Sequence, residues 1–251
     1  MFDGLFYFIL TLVPLVFLQR LLHREIQAIF LIITKHGPLT IGLYSMIFFP
    51  GVVLHELSHF IMARVLGVRT GGVSVIPHIT DDDRLILGYV ETVRSDWLRD
   101  SLIGLAPLIT GGIFVYYAAA EHLHLLVLWQ FIQNGQTQLL IMGLQAMSTV
   151  SDFPLWFYLT FVVSSTMLPS ESDRNSWTPL AMIVVGFLSL VLFFGAGPWM
   201  AENLAPPFND FLKTVATVFG FSVLIHAALL IPAFLLHKFF ARLLHRDIRY
   251  E

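Results

Sequence analysis

The sequence predicts an all-α polytopic membrane protein of about six transmembrane helices, with a small membrane-associated β-hairpin region after the second. Two observations carry that expectation. Of 251 residues, 57% are hydrophobic and only 12% are charged, about half the ~25% of an ordinary soluble domain and too few to coat a water-facing surface. Stretches free of Asp, Glu, Lys and Arg also recur near span length, and six spans of ~20 residues use roughly 120 positions. The same figures count against a soluble enzyme. A net charge of -3 without a basic run counts against a nucleic-acid binder, and the lack of cysteine against a disulfide scaffold.

The predicted spans lie near 4–22, 39–66, 101–120, 153–169, 178–198 and 211–237. Met1-Phe2-Asp3-Gly4 lacks the basic start of a signal peptide, so the first stretch reads as a retained helix. Only Glu56 and Arg64 interrupt the second. Ile26 to Thr34 is apolar but too short to span. Residues 122–151 carry no formal charge, are rich in Gln and break at Asn134-Gly135, which reads as two short helices or a re-entrant hairpin. Short β-rich runs around Val68, Val73 and Val75 and from Leu85 to Val93 flank Asp81-Asp82-Asp83, predicting one or two hairpins. No loop is long enough for a separate soluble domain. The chain therefore reads as one membrane domain, 1–251: an N-terminal helix and linker (1–38), a core (46–176) and two further C-terminal helices (177–251).

Charge bias predicts orientation. Lys238, Arg242, Arg246 and Arg249 put the C-terminal tail in the cytoplasm. Counting back through six spans puts the 67–100 segment, with Arg69, Arg84, Arg94 and Arg99, on the same side. Arg20, Arg24 and Lys35 conflict with that map.

The strongest chemical signal is His55-Glu56-Leu57-Ser58-His59, an HExxH pattern inside an apolar helix. Positions i and i+4 share a helical face, so both imidazoles can reach one Zn²⁺. Glu56 beside them can take a proton from an attacking water. Three ionisable side chains in five residues of a span are expensive unless they bind something. A catalytic zinc needs a third protein ligand. By residue type and depth Asp173 ranks first, at the polar end of the 153–169 helix after Pro169, with Glu171 beside it. Asp81 to Asp83 and Glu91 read as solvated turn and strand residues. No Glu follows at the thermolysin interval, and no third His as in metzincins.

With these residues in view, the chain resembles the site-2 protease family of intramembrane zinc metalloproteases. That family carries a transmembrane HExxH and a later helix with an Asn, a Pro and a Leu-Asp-Gly whose Asp is the third zinc ligand. The corresponding stretch here runs from Thr166 through Pro169 to Asp173-Arg174, with Thr166 in place of Asn, Ser172 of Leu and Arg174 of Gly. Leu66-Gly67-Val68-Arg69 and Leu87-Gly88-Tyr89-Val90 are similar to its β region, and Gly104-Leu105-Ala106-Pro107-Leu108 to the start of its next helix. The likeness covers roughly 46–176 and leaves no loop for the peptide-binding PDZ domain frequent in the family. It implies a divergent multi-pass protein of a bacterial cytoplasmic membrane that hydrolyses membrane-protein or peptide substrates. His55, His59 and Asp173 would ligate Zn²⁺, Glu56 would act as base, and Thr166, Pro169 and Arg174 would touch substrate or support the ligands. The β region would hold an unwound substrate at a strand edge, and polar access would run beside Ser58, Ser170 and Ser172.

Three alternatives stand beside this reading. One is a catalytically silent zinc-binding relative; another is an HExxH membrane protease of the prenyl-protein type with a Glu as third ligand. A transporter fits poorly, because the ionisable residues cluster in one motif. The other histidines read blandly: His122 and His124 at the interface, His78 solvated, His237 and His245 near lipid headgroups, and His226 as a neutral core residue with a possible supporting role at the site. Gly104, Ala106, Gly111 and Gly112 are expected at close helix contacts.

Overall fold

Two apolar stretches that the charge pattern separates form a single helix, α1, Asp3–Thr34. No Gly or Pro lies between them to stop it, and the polar residues of the junction find partners inside the protein. His23 Nδ1 meets the Tyr44 hydroxyl at 2.8 Å and Glu25 meets His237 at 2.5 Å. The computed structural model describes residues 3–75, 78–79, 85–86, 88–93, 95–147 and 149–245. Arg84, Arg94, Arg246, Arg249, Leu87, Asp81 to Asp83 and the side chain of His78 lie outside the described residues.

After two linking residues, α2 (Gly37–Val65) runs back, with Pro38 in its first turn. Its end is closed by Gly67 at φ +70°. Gly67 N–H donates to the Arg64 carbonyl at 3.1 Å and Val68 N–H to that of Ala63 at 2.8 Å, while Val68 packs with Ala63 and Ile103. This is a Schellman stop with its hydrophobic contact. Four short strands follow: β1 (Thr70–Ser74), β2 (His78–Ile79), β3 (Leu85–Ile86) and β4 (Tyr89–Thr92). β1 pairs antiparallel with β4, in register Val73 to Val90, and β2 with β3, His78 to Ile86. The β2–β3 pair lies between β1 and β4 in the chain, so the two antiparallel pairings nest in sequence, within the expected one or two hairpins. The four strands together are termed the β ribbon. An irregularity after Thr70 falls at Gly71 and Gly72, where Glu91 accepts the Gly72 N–H at 3.1 Å.

Asp96 caps α3 (Trp97–Tyr117), accepting from Leu98 and Arg99 N–H at 3.1 and 3.0 Å. The Arg99 N–H holds the Asp96 carboxyl below its ordinary range. A π turn, Ala118–His122, extends α3. Two short helices, α4 (Leu125–Gln133) and α5 (Thr137–Met147), meet at Gly135 as the sequence suggests. Then come α6 (Phe153–Thr166), α7 (Trp177–Phe193), α8 (Gly197–Asn203) and α9 (Ala205–Leu243).

The count of six spans is corrected. Among the described residues, four helices are long and apolar enough to cross a membrane: α1, α2, α3 with its π turn, and α9; the pair α7–α8, bent by 116°, makes at most a fifth. The expected span 153–169 ends at Thr166 after 14 residues, and 178–198 breaks at Gly195, where φ is +85°. The protein is a multi-pass integral membrane protein whose apolar exterior, with Phe17, Ile113, Phe187 and Phe239 exposed, suits lipid. Its interior gathers Leu15, Leu22, Phe48, Val115, Val162, Met167 and Phe219 from α1, α2, α3, α6, α9 and the turn after α6.

The orientation map is corrected too. α1 and α9 run parallel: Gly4 N–H donates to Asn209 Oδ1 at 2.8 Å, the Phe8 and Phe219 rings lie 5.7 Å apart, and Glu25 meets His237. The end of α9 therefore shares a face with the α1–α2 link, and the β ribbon lies at the opposite face. Among the described residues, Arg20, Arg24, Lys35, Lys238 and Arg242 belong to the half nearer the link. Arg64, Arg69, Arg99, Arg174 and Lys213 belong to the other. Five against five gives no positive bias.

Candidate metal centre

His55 and His59 lie on α2, one turn apart, and their Nε2 atoms face each other at 3.1 Å. Asp173 reaches them from the turn after α6. Its carboxylate stands 3.3 Å from His59 Nε2 and 3.7 Å from His55 Nε2. Around a four-coordinate ion with bonds of ~2.0–2.1 Å, neighbouring ligand atoms stand roughly 3.3–3.4 Å apart. The observed distances, to Oδ1 from His59 and to Oδ2 from His55, lie near that value, and with one atom from each residue all three stand within 4.8 Å of one another. Among the described residues, these three form the one group whose ligand atoms converge in this way.

The opposite side of each ring explains why the lone pairs converge. His55 Nδ1 lies 2.6 Å from the Thr166 carbonyl and His59 Nδ1 2.8 Å from that of Ile103. Carbonyls only accept, so each Nδ1 carries a proton, and a neutral ring then presents its Nε2 lone pair to the cluster. Two such lone pairs and a carboxylate at these distances repel unless a proton or a cation sits among them. Backbone carbonyls behind ligating imidazoles are the usual outer partners of a metal site. The donor set therefore fits a metal ion.

The turn that carries Asp173 is built around Pro169, which has no N–H to give to Ser165, four residues back, and so ends α6. The Ser165 carbonyl accepts from Gln19 Nε2 instead. Ser170 N–H turns away from Thr166 to Asp173 Oδ2, at 2.7 Å, and Ser170 Oγ donates to the same oxygen at 2.6 Å. That leaves the Thr166 carbonyl for His55. Arg174 does not touch the carboxylate; its Nε donates to the Ser170 carbonyl at 3.1 Å and braces the turn. The Thr166 hydroxyl donates back to Val162 at 3.0 Å, so Thr166 serves the site through its backbone.

Two close approaches set the spacing. A Cβ at Gly51 would overlap the Val162 carbonyl, and one at Gly104 the Asp173 carbonyl; neither position tolerates a side chain without a shift. Gly111 meets Met167 in the same way, whereas Gly112 has ordinary room.

Glu56, 8% exposed, sits beside the ligands within electrostatic reach of His55 and Asp173. The ribbon covers it: a Cβ at Gly88 would stand 2.9 Å from Glu56 Cγ and 3.0 Å from Val52 Cγ1. Ser58 is buried and donates to the His55 carbonyl at 2.6 Å, so it lines no path. Ser170 and Ser172 are exposed. Glu91 is held on the ribbon by Gly72.

The remaining histidines divide. His226 donates from Nδ1 to the Ser222 carbonyl at 2.7 Å and accepts from Ser165 Oγ at 2.9 Å, a neutral, satisfied core residue. His122 stacks on Trp156 with centroids 3.6 Å apart. His237 is a correction: α1 packs against the inner face of α9, so His237 is buried against Glu25 and does not face headgroups.

Sequence reasoning missed Ile103 and Gln19, the first because a carbonyl has no letter of its own, and named Ser170 for polar access where it donates to Asp173. No family model matches the chain, and no curated protein or solved structure matches it either. The likeness to site-2 proteases rests on the motifs quoted above.

Proposed function

We propose that this protein is a zinc-binding membrane protein whose His55, His59 and Asp173 hold the ion, and that the centre works as an intramembrane metallopeptidase. The observation that carries the metal reading is the convergence of two tautomer-fixed imidazoles and one carboxylate on a single point. Two His and one carboxylate form a common catalytic zinc donor set, with a fourth position left open. Zn²⁺ bound there would polarise a scissile carbonyl and make a water acidic enough to attack near neutral pH.

The chain's own groups would do the rest. Glu56 takes the proton of the attacking water and returns it to the leaving amine. Its carboxylate accepts no hydrogen bond among the described residues. The Ser170–Arg174 turn beside the site is exposed apart from Asp173, and the ribbon would offer strand edges to a substrate segment that has unwound.

A second reading has its own observation. Gly88 lies directly on Glu56, and a ribbon that stays there would leave the zinc as a structural element without turnover. A Glu as third ligand is not favoured, because Glu91 is engaged on the ribbon.

Zinc-loaded protein in lipid nanodiscs, incubated with a transmembrane peptide library, separates the two. Hydrolysis in the wild type that disappears in Glu56→Gln with zinc retained supports the peptidase. Zinc without hydrolysis in either supports the structural role.

A further inference from the structure

α3 contributes no ligand to the metal centre, yet two of the three ligands lean on one turn of it. Gly104 lets the Asp173 backbone approach, and the preceding residue, Ile103, accepts from His59. In an unbroken helix the Ile103 carbonyl would accept the N–H four residues on. That residue is Pro107, which has no N–H and whose ring pushes the carbonyl four residues back off the helix axis. α3 continues through it to Tyr117, and Ile103, Pro107 and His59 are all buried, so the carbonyl lies away from bulk water and needs a donor from the protein. The donor present is His59 Nδ1–H, at 2.8 Å. The same pairing of a proline with a side-chain donor recurs at Pro169, where Gln19 takes the Ser165 carbonyl.

We propose that Pro107 is a positioning residue of the metal centre: by withholding a backbone donor from the Ile103 carbonyl, it fixes the His59 ring as the Nδ1–H tautomer with Nε2 turned toward His55 and Asp173. This rests on the metal reading of the site, but its first readout needs no metal. In Pro107→Ala a backbone N–H returns, the Ile103 carbonyl swings back onto the helix axis, and His59 loses its acceptor. His55, held by Thr166 on α6, is untouched.

The test is nitrogen NMR of the full chain in detergent, metal-free, with isotope-labelled histidine, the two ring signals being assigned through His55→Gln and His59→Gln. Pro107→Ala is expected to move the His59 nitrogens from the Nδ1-protonated pattern toward a tautomer average while His55 stays fixed. It is also expected to raise the Zn²⁺ dissociation constant about 10- to 100-fold, as the loss of an outer partner does. Unchanged His59 signals would overturn the proposal; so would His55 and His59 moving alike, which marks general loosening. A selective His59 shift in a protein whose wild type takes no Zn²⁺ would uphold the proline's role and sink the metal reading. If Pro107→Ala does not fold, the labelled Ile103 carbonyl carbon gives the answer in an otherwise native chain. Its signal must move in His59→Gln, and a fixed signal overturns the proposal.

Discussion

Two sets of buried or half-buried histidines sit in this membrane domain, and they are wired differently. At the metal centre, His55 and His59 spend their Nδ1 protons on carbonyls and turn two Nε2 lone pairs toward one carboxylate. Along the α1–α9 seam each histidine keeps to its own partner: His23 with Tyr44, His226 with Ser165 and Ser222, His237 with Glu25. Each set mixes buried and half-buried rings, so depth does not mark a ligand. Convergence of acceptor atoms does, and it requires backbone acceptors behind the rings. The seam histidines join helices; the α2 pair, with Asp173, forms a cluster that could hold a metal ion.

The comparison can be broken at its spacing first. Gly104→Ala places a methyl on the Asp173 carbonyl, and such overpacking costs about 1–3 kcal/mol. Zinc affinity should fall much further than thermal stability, as calorimetric titration beside a melting curve would show. His226→Leu tests the other side. It strands the Ser165 hydroxyl at a cost of about 1–3 kcal/mol, so the unfolding midpoint should drop while zinc stoichiometry stays at the wild-type value. Ser170→Ala removes one of two donors to Asp173 Oδ2 and should weaken zinc about tenfold, with the melting point nearly unchanged. The smallest effect belongs to Asp96, which serves only α3. Its carboxyl is held below the ordinary range by the Arg99 N–H, so its contribution is present at neutral pH and fades as pH falls through its folded value. Asp96→Ala should remove that part of the acid dependence of stability without changing zinc binding.

The sequence made the metal centre largely legible and the membrane topology only partly so. His55, Glu56 and His59 are fixed by helical spacing, and Asp173 was reachable as the first acidic group of suitable depth after a helix-ending proline, apart from its neighbour Glu171. The ribbon was readable from valines flanking an acidic run. The span count failed because two apolar stretches are cut short by the backbone, 153–169 at Thr166 after 14 residues and 178–198 at the bend between α7 and α8. The length of α1 was missed for another reason, since Glu25 finds His237 inside the protein and the helix runs straight through. Orientation failed because charge counting assumes that successive spans alternate, and the directions of α1 and α9 emerge only from packing. The carbonyl supports have no side-chain signature. A proline four residues after a carbonyl is nonetheless a readable one, as Pro107 and Pro169 illustrate.

The central claim is that three named side chains hold one metal ion while Glu56 does not. Zinc per protein, measured after detergent purification and reconstitution in the wild type, His55→Ala, Glu56→Ala and Asp173→Ala, tests it most directly. One zinc in the wild type and in Glu56→Ala, and none in the other two, is the expected result. Zinc retained in Asp173→Ala, or absent from the reconstituted wild type, would contradict it.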